Sequence, residues 1–477
     1  MRFPGFIGGA YSIDSISADC QRCVNLYPEI NEAGTAPNAE RAALMPTPGL
    51  VLANTLGIGP IRGMHRIAVS GKLAVVSGTV LYYVDATYNW TPVGVLGTAT
   101  GPVDIASNAY QVCVVDGVNG YVYDGTKTVP FFKVDGFPPA DRVDFIDNYI
   151  VFNIKGSGNF GFSASNDASS VDPMDFATVE GSPDGVNSLV VSNRQVWVTG
   201  TDSTEVFVNT GDLLEPFQRI PGAFIEFGCR SAYALQKLGN SVVWLGGGPN
   251  GDGIVYRAEG YQPTRISTHA IELAIREAGA SSDARAWTYQ QDGHQFYCLT
   301  IAGQNTTWVY DLATGVWHER AGFVDGLETR HRADCHAFAY GQHFVGDYAN
   351  GNLYTLDKTA YTDNGAPIIR ERVTPHLGDD GVRVIWDYLQ VEMQAGTGLD
   401  GVGQGSDPKI MMDYSHDAGY TWTPPRNASM GKAGAFLTRA IWRRMGFSRY
   451  VVVRIRVSDP VKVVFLGASI GVRKAAN

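Results

Sequence analysis

VNSLVVSNRQVWVTG (186–200), continued by TEVFVNTGD (204–212) and EPFQRI (215–220), decides the fold class. Valine, leucine and tryptophan crowd the first two segments, and branched or flat side chains of that kind suit a pleated, half-buried surface. Ser192, Asn193 and Arg194 interrupt the apolar run, and asparagine tolerates the left-handed backbone of a tight turn. The next segment carries an aromatic, Phe207, shortly before a Gly-Asp turn. The unit is strand, turn, strand, turn, strand, with a short fourth strand after it.

The same plan recurs in both directions between about residues 60 and 375. Upstream lie HRIAVSGKLAVVSG, VLYYVDA and WTPVGVL (round one, 63–96), then VDIASNAYQVCVVDG, GYVYDGTK and VPFFKV (round two, 101–134). RVDFIDNYIVFNIKG, NFGFSAS and DFATV make round three (141–179), the weakest match, and the opening stretch is round four. Downstream lie SAYALQKLGNSVVWLGG, GIVYRAEG and QPTRI (round five, 230–266), then ARAWTYQQDGHQFYCLTIAG and TTWVYDLATGVWHER (round six, 283–320). CHAFAYGQHFVGDYANG and NLYTLDK follow as round seven. Six of the seven third strands carry an aromatic at a similar place: Tyr83, Tyr123, Phe207, Tyr256, Tyr310 and Tyr354.

A period of about 40–50 residues with up to four short strands predicts a β-propeller. One blade cannot bury both of its faces alone; packed radially, each covers its neighbours, and ring closure leaves only short edges. Seven rounds predict seven blades, with GLVLAN (49–54) recruited as the outer strand of the last. A tandem of meanders or sandwiches is the alternative that the pattern leaves open.

One segment reads as helix: THAIELAIREA (268–278) sets Ile271, Ala274 and Ile275 on one face behind a Ser267/Thr268 cap. Residues 1–58 form a Pro/Gly-punctuated arm with the ring-closing strand, and 59–378 the propeller. Residues 379–477 are expected to be a small antiparallel β-sandwich, with strands at 382–394, 409–414, 421–422, 449–457 and 461–470. The fold class is all-β.

Aromatics at 11%, 56 glycines and only 18% charged residues agree with many short strands joined by tight turns, and argue against wholesale disorder. Pro4 and Gly5 interrupt any secretory core at the start, and no window approaches the ~20 apolar residues of a spanning helix. The expectation is a soluble chain made in the cytosol, without membrane contact. The net charge of −10 speaks against wrapping nucleic acid. It is unevenly placed: residues 431–477 carry +9, leaving −19 elsewhere, and ends of opposite sign suggest a partner for at least one of them.

Several motifs point to chemistry, and each has a structural reading. Six cysteines inside apolar patterns read as free buried thiols; Cys20-Gln-Arg-Cys23 lacks the second pair of a zinc site and the following helix of a redox motif. Ser415-His-Asp-Ala-Gly-Tyr-Thr-Trp422 matches the S-x-D-x-G-x-T-W box repeated in sialidases. It reads as a turn device: Asp417 accepts backbone N–H groups beside Ser415, Gly419 supplies an unusual φ, and Trp422 packs the hairpin. GSGNFG (156–161) fits G-x-G-x-x-G, but FSASNDASSVDP after it cannot open a helix, so it reads as a hairpin turn. His331, Cys335, His336 and His343 crowd one stretch, yet adjacent strand residues face opposite ways. No catalytic, cofactor-binding or metal-binding residue is assigned. The candidate interface is Arg443, Arg444, Arg449, Arg454 and Arg456. In VVVRIRVSD, Arg454 and Arg456 share one face and Val453, Ile455 and Val457 the other, so the arginines are expected to point outward, either solvated or docked on acid.

Four stretches carry a resemblance: ADCQRCVNLYPE (18–29); PDGVNSLVVSNRQVWVTGTDSTEVFVNTGD (183–212); ISTHAIELAIREAG (266–279); and DYSHDAGYTW (413–422) with RRMGFSRYVVVRIRVSDPVKVVFLGASI (443–470). In this order of elements the chain resembles the tail-hub family of short-tailed bacteriophages, also called packaged-DNA stabilisation proteins. The resemblance implies a virion tail component assembled in the host cytoplasm. It would be a hexameric ring beneath the portal and its adaptor, closing the head, helping to retain packaged DNA, and carrying needle and tailspikes. Its partners would be further copies of itself, the portal adaptor protein, the tail needle and the tailspikes. It would lie near packaged DNA without reading sequence, and the family offers no catalytic residues. The alternatives are a sialidase-like propeller hydrolase acting on host-surface glycans, and a monomeric ligand-binding propeller.

Overall fold

The alternating segments become antiparallel meanders. The computed structural model describes residues 1–31, 42–212, 215–248, 251–279, 281–378 and 381–474. Ile61–Arg66, Leu73–Ser77, Val80–Val84 and Trp90–Val95 form the first four-stranded sheet. Sheets of the same order begin at Asp104–Ser107, Val143–Ile146 and Val186–Ser192. The fifth opens with two short strands, Gly228–Cys229 and Gln236–Leu238, both paired to Ser241–Gly248. The sixth runs from Arg285–Gln291 to Val316–Val324, and the seventh from Ala333–Ala339 to Asn352–Asp357.

The first strands of successive sheets touch in order, and Ala333–Ala339 of the seventh returns to Ile61–Arg66 of the first. Gly49–Thr55 pairs antiparallel with Asn352–Asp357 as the seventh sheet's fourth strand, so a strand from before the first sheet joins the last; it is not the outermost, because Thr362–Asp363 pairs with it on the other side and Ala366–Pro367 follows. Close packing at the ring's interior dictates glycine at position 63. A Cβ there would stand 2.1 Å from the Val103 carbonyl oxygen of the next sheet.

The helix is His269–Ala278, capped by the Thr268 side chain and ended by Gly279 in the left-handed region. Its buried residues are Ala270, Ile271 and Ile275; Ala274, expected on that face, is half-buried, because the stripe sits one position earlier against the fifth sheet. Among the described residues no helix is long and apolar enough to cross a membrane.

Two sheets close over a second core at the chain's end. Phe465–Lys474 lies between Val384–Met393 and Ala42–Pro46, which leads on to Leu26–Ile30; Ala440–Arg443 pairs with Val384–Met393 on its other side. Phe3 and Phe6 fill this core with Trp386, Trp442, Val453 and Phe465, and the Met1 amino group bonds the Ile470 carbonyl at 2.8 Å. The expected strand at 421–422 is absent. The Asp417 turn holds those residues, and Pro424-Pro425 donate no N–H to a ladder, so the strand begins at Arg426 and runs to Ser429. The 378/379 boundary falls at a residue outside the described ones.

The opposite sheet does not stop at the sandwich. Cys20–Val24 pairs parallel with Val316–Val324 of the sixth propeller sheet and antiparallel with Arg370–Val373. Arg370–Val373 pairs with Tyr450–Val457, which pairs with Lys409–Ser415. One twelve-stranded sheet therefore runs from the propeller through an N-terminal strand into the sandwich.

Candidate functional site: a charge ladder and a basic edge

The strand Tyr450–Val457 places Val451, Val453, Ile455 and Val457 in the core, all fully buried, as its period-2 alternation requires. Arg454 and Arg456 take the other face, where a carboxylate meets them. Asp413, directly across the ladder from Arg454, accepts from its Nε at 3.1 Å and from Nη2, and from Arg456 Nη2 at 3.3 Å. The Arg454 guanidinium also lies over the Trp422 ring, 4.2 Å from its centre. Both arginine side chains are about a quarter exposed, at 23% and 28%. The pair faces away from the core as the alternation requires, and what the sequence did not show is its partner: a buried acid on the neighbouring strand, 41 residues away, binds both arginines.

The capture continues along the sheet. Glu371 stands opposite Arg456, and Arg22 on the next strand bonds Glu371 at 3.3 Å, Glu319 at 2.7 Å and Glu328 at 2.7 Å. The order Glu319, Arg22, Glu371, Arg456/Arg454, Asp413 alternates in sign from propeller to sandwich. Burial works against the charge of Arg22, but the three acids facing it, Glu319 foremost, together outweigh it and raise its pKa. Burial pushes the Glu371 carboxyl up, and Arg22 and Arg454 pull it back. Beneath the ladder Arg372, fully buried, donates to the carbonyls of Gly5, Phe6, Gly9 and Arg22 and to Gln21 Oε1, binding the first turns of the chain to the junction. Sequence reading missed Arg22, Glu319, Glu371, Arg372 and Asp413. Two signals were present: the lone acid in KIMMDY and the charges of RERV (370–373), each inside a strand pattern.

The remaining candidates, Arg443, Arg444 and Arg449, are exposed on the sandwich edge. Arg443 ends the strand Ala440–Arg443, and Arg444 has φ 59° in the turn after it. Exposed Phe447 and Tyr450 share this edge.

Ser415, Asp417, Gly419 and Trp422 lie between Lys409–Ser415 and Arg426–Ser429. Ser415 Oγ donates to Asp417 Oδ1 at 2.6 Å and accepts the Gly419 N–H at 2.8 Å. Asp417 accepts the N–H of Thr421 at 2.8 Å and its hydroxyl at 2.6 Å. Bonds from Ser415 and Thr421 bring the Asp417 carboxyl down to about 2, and Gly419 has φ 99°. Both carboxylate oxygens serve the turn.

The other motifs resolve as packing. GSGNFG (156–161) joins Tyr149–Asn153 to Asn159–Phe162 with Gly156 at φ 75°. His336 stacks on Trp287 and meets His343 at 3.0 Å, while Cys335 packs with the cluster around Ile61 and Phe344. Cys20 and Cys23 are free thiols, pushed up to about 11 and about 12 by burial. The central propeller cavity, about 360 Å³, is lined by charges matched among themselves: Arg142 with Asp104 at 3.3 Å, Lys237 with Asp144 at 3.1 Å, and Arg285 with Asp334.

Comparison with known proteins agrees with this two-part plan. A family model described as bacteriophage P22 Gp10, beta-propeller, matches residues 7–361, and one described as bacteriophage P22 Gp10, beta-sandwich, matches residues 369–473. No curated protein is similar to the chain at a significant level. Among solved structures, the WD40 propeller domain of Doa1 aligns at 12% identity over 65% of this chain and 96% of its own, with a TM-score of 0.41. The propeller domain of Cps50 (Swd1) from Myceliophteria thermophila aligns at 8% identity over 64% of this chain and 99% of its own, with a TM-score of 0.43.

Proposed function

The chain belongs to the bacteriophage P22 Gp10 family in both of its parts, and on that premise we propose that it is a structural component of a phage tail, assembled with other virion proteins and not an enzyme. In this reading copies form a hexameric ring beneath the portal adaptor that closes the head, helps to retain packaged DNA, and carries tail needle and tailspikes. The host cytoplasm is where it assembles. Residues 1–58 are the tie, 59–378 the propeller and 379–477 the sandwich.

The observation that carries the reading is the twelve-stranded sheet with its charge ladder, which makes propeller and sandwich one body able to transmit load. The charge asymmetry suggests how copies meet. An edge bearing Arg443, Arg444 and Arg449 on a +9 segment, beside a remainder of −19, favours a head-to-tail contact, which makes a ring when the rotation between copies closes. The turn around Asp417 supports the non-enzymatic reading, since both of its carboxylate oxygens are engaged by Ser415 and Thr421 within the turn.

Sedimentation of the full chain, alone and with the adaptor-bearing head, tests this. A ring that forms at about 0.1 M salt should weaken at about 0.5 M, where charges are screened within a few ångströms. Replacing Arg443, Arg444 and Arg449 by serine should weaken it at both. A chain that stays monomeric and fails to bind heads, or a ring indifferent to salt and to the triple variant, overturns the proposal.

A further inference from the structure

A cavity of about 190 Å³ opens between the first and second propeller sheets, where the turn at 67–72 faces the hairpin at 108–111. Tyr83 and Tyr123, two of the recurrent third-strand aromatics, line it edge to face with ring centres 5.1 Å apart. Tyr110 and Val69 stand over it, 71% and 67% exposed.

Two polar groups in the lining are spare. Asn108 is 3% exposed, and its Oδ1 accepts the N–H groups of Tyr110 at 2.8 Å and Gln111 at 2.7 Å. Those bonds settle which end of the amide is oxygen. The other end, Nδ2, is buried and meets no hydrogen-bond partner among the described residues, and neither does the buried Tyr83 hydroxyl. Neighbouring Gln111 is, by contrast, fully used: Nε2 donates to Asp124 and Asp167 at 3.1 Å each, and Oε1 takes the Ala168 N–H at 2.6 Å. A buried donor left unmade is costly, and two of them sharing one aromatic-lined cavity call for a ligand that accepts from both.

We propose that this cavity binds a single pyranose ring of a glycan. The Asn108 amide offers two N–H donors and the Tyr83 hydroxyl one O–H, which suit the oxygens of a sugar. The tyrosine rings offer flat apolar walls for the C–H face of the ring. Lys72, the only charged lining residue, is exposed, so the interior suits a neutral polyol better than a carboxylate or phosphate. The volume lies below the roughly 300–1,000 Å³ of drug-sized sites, which limits the occupant to about one ring. An amide side chain of a partner protein would take the same donors but has no extended C–H face for the tyrosines. The proposal is independent of the tail role.

The test is saturation-transfer NMR and titration calorimetry on the full chain. The probes are methyl pyranosides of glucose, galactose, mannose and N-acetylglucosamine, with acetamide standing for a protein amide. At least one pyranoside should bind with a dissociation constant on the order of 1 mM. Asn108→Asp keeps the acceptor that both backbone N–H groups need but replaces the amino end by oxygen; it should weaken binding tenfold or more. Tyr83→Phe should also weaken binding while leaving the melting temperature of the free chain unchanged or higher, since the lost hydroxyl had no partner. Binding of no pyranoside, binding of acetamide alone, or binding unaltered in both variants overturns the proposal.

Discussion

Replacing Arg22 by methionine keeps the apolar stem and removes the charge on which three carboxylates converge. Their exposures rank the losses: the Glu319 side chain is 4% exposed, Glu371 11% and Glu328 39%. Removing one partner of a buried pair costs about 3–5 kcal/mol because the other charge is left in a poor solvent. An exposed pair contributes about 0–1 kcal/mol. Arg22 is itself 32% exposed, so solvent screens part of the loss, and the lower end, about 3 kcal/mol, is expected. Glu328→Gln should cost about 0.5 kcal/mol. Adding Glu319→Gln to Arg22→Met should recover part of the deficit by neutralising the stranded acid, a coupling that a double-mutant cycle isolates. Urea unfolding followed by tryptophan fluorescence reads the stabilities, and amide exchange over 20–24 and 370–373 reads the junction itself. The ladder would not be what joins the two parts if Arg22→Met and Glu328→Gln shifted the midpoint equally, or if exchange over 20–24 stayed as protected as in the wild type.

His294 bonds Asp311 at 2.7 Å and Glu29 at 2.8 Å; burial disfavours its charge, but the two acids outweigh it and the pKa is raised from 6.5. The imidazolium therefore stabilises fully below pH 6.5 and the contribution fades as pH rises through its elevated value, so the melting-temperature gap to His294→Gln should be widest in mild acid and close in alkali. Asp417→Ala should lower the melting temperature at neutral pH. With the carboxyl down at about 2, that gap should persist down to the ordinary range near 3.8 and vanish as pH falls through about 2; sialoside turnover by the pure wild type would contradict the turn reading. Gly63→Ala brings a methyl against the Val103 carbonyl and should cost roughly 2–3 kcal/mol in denaturant titration by overpacking the seam between two sheets.

What sequence reading recovered is what local periodicity determines. Alternation located the strands of the repeats, the Asn and Gly turns between them, and the core face of Tyr450–Val457. Capping chemistry located the start of the helix, at Thr268. The errors lie where a distant partner or a neighbouring turn overrides the pattern. Thr421 and Trp422 have strand-forming side chains, but Asp417 holds one and Arg454 covers the other. Residues 1–31 look irregular because their strands are short and separated by Gly and Pro, and nothing local shows that Cys20–Val24 is the sheet's connecting strand.

The arginines show why this limit is physical. A period-2 strand fixes which residues share a face, not what lies across it. For Arg454 that neighbour is Asp413, and for Arg22 it is Glu319, 297 positions along the chain. A guanidinium opposite a core reads the same in sequence whether water or a buried carboxylate meets it. The two cases differ in consequence: a solvated arginine is available to another molecule, and a captured one holds its own fold together. Of the five candidate arginines, Arg443, Arg444 and Arg449, in the strand end, the turn and the loop before the captured strand, are the exposed ones. Of these five arginines, the two inside the strand bind Asp413 within the sheet, and the three before it are the ones on which the proposed assembly rests.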